Sequence, residues 1–369
     1  MNPSSTHTFE VRKDNWRETR IVESPLDQEL ADRELLLRVD RLALTANNIS
    51  YAATGDSLGY WGFFPAESGW GRIPAMGWSE VVTSKHPDIA VGERLWGWFP
   101  FSTHLKVQAG HVSATNLTDA SPHRASYAEV YARLDRASAN PFYDLNREDH
   151  DSLLRGLFTT SWLVEDFLAV NDSFGASACL ITSASSKTAI ALGHCVQQNE
   201  TLTGIGITSP GNVAFCQELG CYDQVLSYDQ VAELDPSRAV VMVDMAGSAQ
   251  VISDLHHHYR DNMKHSCRIG ATHYQEAGPV DDLPGASPEF FFAPAHVKTR
   301  SAQLGPAQYL AELAKAYVGF RQASDRWLTI QRHFGADAVS RVYQSVLSGN
   351  ADPDTGHILS LWTDGVEAG

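Results

Sequence analysis

The chain has 369 residues, with 28 Lys and Arg against 44 Asp and Glu, and its formal net charge at pH 7 is −16. Such an acidic chain is a poor partner for nucleic acid or for an anionic membrane surface, because both attract basic patches. No apolar run reaches the roughly eighteen residues that a membrane-spanning helix needs. Five cysteines without C-x-x-C spacing, and an N-terminus with no apolar stretch, predict a cytoplasmic protein with reduced thiols and no secretory signal.

The N-terminal part has the pattern of short strands separated by turns that contain Gly and Pro. Strands are predicted over 9–22, 33–46, 78–83 and 93–98. The Gly- and Asn-rich stretch 45–60 is predicted to be loop and turn. This pattern indicates a small β-barrel or sandwich. Aromatic residues are dense between Tyr60 and Phe101, where they either pack in the core or form the wall of an apolar pocket.

Residues 121–150 are interpreted as an inserted segment, because they contain two prolines and many polar residues. Some helix is predicted over 125–136. Apolar residues at helical spacing then predict a helix over 153–170.

The middle of the chain alternates strands with helices. Strands are predicted over 178–182, 202–208, 224–227, 239–245 and 267–273, and helices over 188–193, 213–219 and 248–259. This alternation predicts a parallel, doubly wound sheet. The tail from about residue 290 is predicted to be helical over 306–320 and 336–347.

The turn between the first of these strands and its helix is a candidate dinucleotide site. It offers the hydroxyls of Ser183, Ser185 and Ser186 and the charge of Lys187, and Thr188 begins the helix. N–H groups at a helix N-terminus favour a pyrophosphate. A dinucleotide fingerprint reads G-x-G-x-x-G, whereas this turn has no glycine, so an ordinary strand–turn–helix is the alternative. A P-loop is excluded, because position 181 is Ile where that motif needs Gly.

Three polar residues, Thr208, Ser209 and Asn212, follow the second strand, where an adenosine ribose usually lies. An acidic residue there would favour NAD, and none is present. Hydroxyl and amide groups tolerate a 2′-phosphate, so the sequence favours NADPH, although no Arg or Lys lies in this loop to pair with that phosphate.

Several segments resemble the medium-chain dehydrogenase/reductase superfamily, in particular its zinc-free quinone oxidoreductases and enoyl-thioester reductases. Residues 72–82 resemble its P-x-x-x-G-x-E segment, 91–97 its G-D-x-V turn, 206–228 its second Rossmann strand, helix and turn, and 243–247 its V-D-x-x-G strand end. The resemblance implies an α/β protein with a GroES-like barrel over 1–150, including the insertion near 121–150. It further implies a Rossmann domain over 151–290, a segment 291–369 that returns to the catalytic domain, and a homodimer.

The resemblance also assigns roles to single residues. Thr160 falls where the family has a Thr-rich helix start that faces the nicotinamide. Tyr60 falls in a segment where enoyl-thioester reductases carry a proton-donating tyrosine, with Tyr51 as the second choice. Asn48 could orient the substrate or polarise a carbonyl, or it simply holds its loop in a turn. A packed aromatic with a satisfied hydroxyl is the alternative reading of Tyr60.

No metal site is expected. Zinc-dependent members of the superfamily use a cysteine after the second barrel strand, and here no cysteine precedes Cys179. The run His256, His257 and His258 cannot converge on one ion, because consecutive helical residues point about 100° apart.

Two functions remain open at this stage. The first is a zinc-independent, NADPH-dependent reductase of a conjugated carbonyl, quinone or enoyl thioester, which would bind a small apolar or thioester substrate. The alternative is a catalytically silent pseudo-reductase with a binding or regulatory role.

Overall fold

The structure is a computed structural model that describes residues 4–245, 247–269 and 282–363. These residues form two compact units. The first unit comprises the chain up to Leu153 together with the chain from Leu328 onward, and the second unit is Leu154–Trp327.

The elements are numbered along the chain. The strands are β1 (Ser5–Arg12), β2 (Thr19–Pro25), β3 (Glu34–Leu44), β4 (Trp70–Gly71), β5 (Pro74–Ser84), β6 (Arg94–Pro100), β7 (His104–Gly110), β8 (Asn116–Asp119), β9 (Arg133–Arg136), β10 (Ala178–Thr182), β11 (Thr203–Thr208), β12 (Gln224–Ser227), β13 (Val240–Asp244), β14 (Met263–Arg268), β15 (Pro288–Phe290), β16 (Thr329–Phe334) and β17 (Thr355–Ser360). The helices are α1 (Ala46–Ala53), α2 (Glu129–Ala132), α3 (Glu148–His150), α4 (Gly156–Val170), α5 (Lys187–Gln197), α6 (Val213–Glu218), α7 (Ala249–Tyr259), α8 (Ala293–Leu304), α9 (Pro306–Ser324) and α10 (Ala336–Leu347).

The first unit is built around a closed barrel. Its strands follow the order β3-β5-β6-β9-β8-β7, and β7 pairs back onto β3. β17 and then β16 extend the sheet from β3, while β2, β1 and β4 form a separate small sheet. The fully buried side chains of Leu35, Leu37 and Val39 alternate along β3 and fill the core. Gly77 lets β5 cross β3 closely, because a Cβ there would lie 1.8 Å from the carbonyl oxygen of Arg41.

Two local predictions for this unit are wrong. The predicted strand 9–22 is a hairpin, because β1 ends at Arg12 and the N–H of Arg12 bonds the carbonyl of Glu18 across a polar turn (2.9 Å). The predicted loop 45–60 contains helix α1. Thr45 caps α1, and its backbone N–H donates to Oδ1 of Asn48 at 2.8 Å, which stabilises the first turn.

The inserted segment contributes a strand to the barrel. Of the helix predicted over 125–136, a single turn forms as α2, and β9 follows it. β9 pairs with β6 and with β8, and its Leu134 is buried. Burial of Leu134 and the cross-strand hydrogen bonds outweigh the local helical pattern of this stretch.

The second unit is a parallel six-stranded sheet in the order β12-β11-β10-β13-β14-β15. Every residue of β10 and of β13 is buried, as expected for strands that are covered on both faces. The predicted fold class, a GroES-like barrel with a doubly wound Rossmann sheet, is confirmed. The predicted strand 267–273 corresponds to β14, which ends at Arg268, and residues 270–281 lie outside the described residues.

Helices α8 and α9 belong to the second unit, so residues 291–327 do not return to the first unit as the sequence analysis expected. Aromatic packing explains this division: the rings of Phe158 in α4 and Phe320 in α9 stack with 5.1 Å between centroids. On α8, His296 and Arg300 each donate to the Asp166 carboxylate of α4 at 2.7 Å. The chain re-enters the first unit only at Leu328.

Over the described ranges, every helix is too short or too polar to span a bilayer.

Candidate functional site

The turn between β10 and α5 has the backbone geometry of a glycine-rich turn without any glycine. Ser183 has φ +52°, which lies in the left-handed region that glycine usually occupies. Ser186 caps α5, and its hydroxyl accepts the N–H of Ala189 at 3.3 Å. Lys187 and Thr188 form the first turn of α5, whose N–H groups point out of the helix N-terminus. The first-turn geometry therefore suits an anion.

Two tyrosines that the sequence analysis missed support this turn. The hydroxyl of Tyr228 accepts the N–H of Ser183 at 3.1 Å, and the hydroxyl of Tyr222 donates to the carbonyl of Ala184 at 2.8 Å. The Tyr222 ring occupies space next to two glycines, since a Cβ at Gly193 would lie 2.6 Å from it and one at Gly206 3.0 Å. A glycine within a buried strand, as at Gly206, was the available sequence signal for this close approach.

Four of the predicted cofactor residues form one hydrogen-bonded cluster. Oγ of Ser185 accepts from Nδ2 of Asn212 at 3.0 Å and from Oγ1 of Thr208 at 3.3 Å. Nδ2 of Asn212 also donates to Oγ of Ser209 at 3.1 Å. The cluster lies at the carboxyl ends of β10 and β11, the edge where parallel α/β sheets bind ligands. Because Ser185 accepts two hydrogen bonds, its own proton is available as a donor.

The other predicted cofactor residues have different partners. Thr160 is on α4, and its hydroxyl donates to the carbonyl of Gly156 at 3.3 Å. The backbone carbonyl of Thr188 accepts the hydroxyl of Ser161 at 2.7 Å, which ties α5 to α4. The structure therefore brings Ser185, Thr208, Ser209 and Asn212 together but does not place Thr160 in their hydrogen-bonded cluster.

Asp244 at the end of β13 stabilises the same edge of the sheet. It is fully buried, Oδ1 accepts the hydroxyl of Thr182 at 2.7 Å, and Oδ2 accepts the N–H of Gly247 at 3.0 Å. Oδ1 thus joins the ends of β10 and β13, and Oδ2 holds Gly247, which follows β13.

The three consecutive histidines of α7 have separate partners. His256 is held between the carbonyl of Pro284 and the hydroxyl of Ser266, both at 2.9 Å, and burial lowers its pKa. His258 lies 2.8 Å from the carbonyl of Leu234. Within the described residues, no group of three or more His, Cys, Asp or Glu side chains could hold a metal ion.

The predicted catalytic tyrosines meet in an aromatic cluster of the first unit. The rings of Tyr51 and Tyr60 lie 4.7 Å apart, and Tyr51 also packs against Trp98 at 5.2 Å. Burial, together with Tyr131, raises the pKa of Tyr60 well above its usual value. Burial also raises the pKa of Tyr51, with Tyr60 and Tyr131 adding to the effect. Both phenols are therefore protonated at neutral pH.

The amide of Asn48 is engaged by the backbone on both sides. Its Oδ1 accepts the N–H of Thr45, and its Nδ2 donates to the carbonyl of Pro74 at 3.0 Å. In this arrangement Asn48 joins the start of α1 to the start of β5. These contacts correspond to the alternative in which Asn48 holds its own segment in place.

Comparison with protein families gives a match over most of the chain. Residues 42–352 match a family described as "Protein of unknown function (DUF2855)". The chain belongs to the DUF2855 family. A comparison of this DUF2855 chain with curated proteins found no match.

Solved structures share the fold of this DUF2855 chain at low sequence identity. CurA from Vibrio vulnificus, in complex with NADPH, has a TM-score of 0.63 and 12% identity, with 97% of this chain and 99% of CurA covered. The yhdH oxidoreductase from Salmonella enterica, in complex with NADP, has a TM-score of 0.54 and 12% identity over 96% and 99% of the two chains. A mutant enoyl thioester reductase from Candida tropicalis has a TM-score of 0.54 and 11% identity over the same shares. The chain therefore shares the fold of these structures.

Proposed function

We propose that this DUF2855 protein is a zinc-independent, NADPH-dependent reductase of a conjugated carbonyl, quinone or enoyl thioester. The observation that carries the proposal is the hydroxyl and amide cluster of Ser185, Thr208, Ser209 and Asn212 at the carboxyl edge of the parallel sheet. Structures with the same fold that hold NADPH or NADP support it.

The residues at this edge fit a dinucleotide. They differ from a glycine-rich turn in that the first two N–H groups of the turn already bond other acceptors within the protein. The N–H of Ser183 is bonded to Tyr228 and that of Ala184 to the carbonyl of Ile207 at 3.1 Å. We therefore assign the pyrophosphate to the first turn of α5 and to the hydroxyls of Ser185 and Ser186. We assign the adenosine ribose and its 2′-phosphate to Thr208, Ser209 and Asn212, and the nicotinamide side to Thr160. NADPH supplies a hydride when bound.

In the proposed reaction Tyr60 is the proton donor and Tyr51 the second choice. An enoyl thioester that has accepted a hydride needs a proton on its neighbouring carbon, and a neutral phenol within reach can give it. Burial raises the pKa of Tyr60, so its proton is present across the neutral range. The half-buried position of Tyr60 among apolar rings suits an apolar or thioester substrate.

The cofactor assignment is tested by measuring dissociation constants for NADPH and NADH with the wild type, Ser185→Asp and the matched control Ser185→Ala. A carboxylate in the turn repels phosphate by a few kcal/mol in a partly dry site, so Ser185→Asp should weaken NADPH binding by about a hundredfold or more. Ser185→Ala removes only a hydrogen bond and should cost about tenfold. Equal affinity of Ser185→Asp and the wild type would place the cofactor elsewhere.

A screen of enoyl thioesters and quinones for NADPH oxidation separates an enzyme from a pseudo-reductase. Substrate-dependent oxidation by the wild type supports the reductase. Tight NADPH binding without turnover of any of these substrates would instead support the silent alternative, because an inactive relative can keep the cofactor site.

We further propose that the first unit is the catalytic domain and the second the nucleotide-binding domain of a cytoplasmic homodimer. Light scattering coupled to size-exclusion chromatography should give about twice the 40.5 kDa of the chain. A monomer at micromolar concentration would contradict the dimer.

A further inference from the structure

The inserted segment, which the family resemblance does not cover, packs directly on the loop that carries Tyr60. Here the strap means residues 122–132, and the Tyr60 loop means residues 59–64. We propose that three residues of the strap, Arg124, Tyr127 and Tyr131, are positioning residues that hold Tyr60 in its proton-donating orientation. This inference rests on the proposed role of Tyr60.

The first contact holds the start of the Tyr60 loop. The hydroxyl of Tyr127 donates to the carbonyl of Gly59 at 2.8 Å, and the Tyr127 ring packs on Phe63 with 4.7 Å between centroids. Gly59 has φ +80°, a conformation that glycine adopts without strain. A Cβ at Gly62 would lie 2.0 Å from the Tyr127 hydroxyl oxygen, so this contact requires glycine. The hydroxyl of Tyr127 therefore fits against the Tyr60 loop only because residues 59 and 62 are glycines.

The second contact holds the end of the loop. Arg124 is almost fully buried, and its Nη1 donates to the carbonyl of Phe63 at 2.9 Å. Its guanidinium lies over the rings of Phe63 and Phe64, at 4.9 and 4.8 Å from their centroids, and Asp119 is the facing carboxylate at 3.8 Å. Arg124 also bonds the carbonyl of Tyr131, so one side chain joins the loop to the far end of the strap.

The third contact reaches Tyr60 itself. The Tyr131 ring meets the Tyr60 ring edge-on, with 6.2 Å between centroids, and it also packs on Phe63 at 5.0 Å and Trp98 at 5.6 Å. Burial in this aromatic cluster raises the pKa of Tyr60, and Tyr131 adds to the effect. The strap thus contacts the loop at both ends and the Tyr60 ring between them.

Kinetics on an enoyl thioester such as crotonyl-coenzyme A test the positioning role. Tyr127→Phe keeps the ring but removes the hydroxyl that bonds the carbonyl of Gly59, and Tyr131→Leu removes the ring that contacts Tyr60. We expect each to lower kcat by about ten- to a hundredfold with KM within about twofold, because misplacement of the donor affects the transition state more than binding.

The matched control is Tyr143→Phe. Tyr143 lies in the same insertion, but its hydroxyl bonds Glu148 at 3.2 Å, away from the Tyr60 loop. This variant should keep the wild-type kcat and KM. Equal kcat values in the wild type, Tyr127→Phe and Tyr131→Leu would overturn the inference, and a matching loss in Tyr143→Phe would reduce it to an effect on folding.

A measurement that needs no substrate keeps the inference separate from the proposed function. Amide hydrogen exchange of residues 59–64 should be at least about fivefold faster in Tyr127→Phe than in the wild type or Tyr143→Phe. The reason is that the carbonyl of Gly59 loses its hydrogen bond from the Tyr127 hydroxyl. Unchanged exchange would overturn the inference even if no substrate were turned over. Fast exchange in Tyr127→Phe, combined with full activity of Tyr60→Phe, would instead contradict the proposed role of Tyr60. The conclusion that Tyr127 holds the Tyr60 loop would still stand.

Discussion

The phenolic oxygen of Tyr228 lies 3.1 Å from the backbone nitrogen of Ser183 and accepts its hydrogen bond. Burial raises the pKa of Tyr228 to about 12, so the hydroxyl stays neutral. Ser183 is the residue at which the backbone enters the left-handed region, with φ +52°. A tyrosine distant in sequence therefore stabilises a turn conformation that a glycine fingerprint would reach by its own flexibility.

The first prediction concerns the backbone of Ser183. Ser183→Gly should change the free energy of unfolding by no more than about 1 kcal/mol, because relief of the left-handed strain offsets the larger entropy of the unfolded chain. Ser183→Val should destabilise the protein by about 1–3 kcal/mol, because a β-branched residue is strained at positive φ. Urea unfolding measures both values. Equal stability of the two variants would contradict the left-handed geometry.

The second prediction concerns the buried charge of Glu148. This carboxylate is fully buried, accepts from Arg94 at 2.8 and 3.1 Å, and lies 3.3 Å from Arg41. Glu148→Gln should cost about 1–3 kcal/mol in urea unfolding, because buried hydrogen bonds to a charged acceptor are lost while Arg94 keeps Asp40 at 2.8 Å.

A matched control for Glu148 is Glu67→Gln. Glu67 also pairs with an arginine, Arg20 at 2.9 Å, but its side chain is 78% exposed. Solvent screens such a pair, so this variant should unfold like the wild type. A similar loss of stability in both variants would show that burial does not determine the cost.

The third prediction concerns pH and His104. Burial lowers the pKa of His104 from 6.5 to about 4, and the nearby charges of Arg38 and His7 act in the same direction. Between pH 6.5 and 4 the unfolded chain therefore binds a proton that the folded chain does not, and the free energy of unfolding falls as the pH falls. The pH dependence of Tm should be flatter over this window in His104→Gln than in the wild type. The exposed His257→Gln should keep the wild-type slope, and three identical slopes would contradict the prediction.

The fourth prediction concerns catalysis. Tyr60→Phe keeps the ring that packs on Tyr51 and Phe63, so folding should change little. With an enoyl thioester, kcat should fall ~100- to 10,000-fold, because the proton transfer in the transition state is lost. A quinone needs no proton on a defined carbon, so its reduction should persist. Full activity on the enoyl substrate would exclude Tyr60 as the donor, and Tyr51→Phe would then be measured.

The sequence by itself determined the features that depend on neighbouring residues. The apolar run 178–182, the small-residue turn and the helix after it were identified correctly, because burial on both faces and helix capping are encoded locally. The parallel sheet was also identified from the sequence, because strands that alternate with helices permit few other topologies. The roles assigned to Tyr60 and Thr160 stay predictions.

Only the tertiary structure decided which distant residues meet. Helix α1 forms where loop was predicted, because Asn48 also bonds the carbonyl of Pro74, 26 residues away. β9 forms at the end of the stretch where some helix was predicted, because β6 and β8 provide hydrogen bonds that the local sequence does not encode. The contacts of Tyr222 and Tyr228 with the turn, and of Tyr127 with Gly59, span 38 to 68 residues. Periodicity describes one segment at a time, whereas such contacts depend on how separate segments pack against each other.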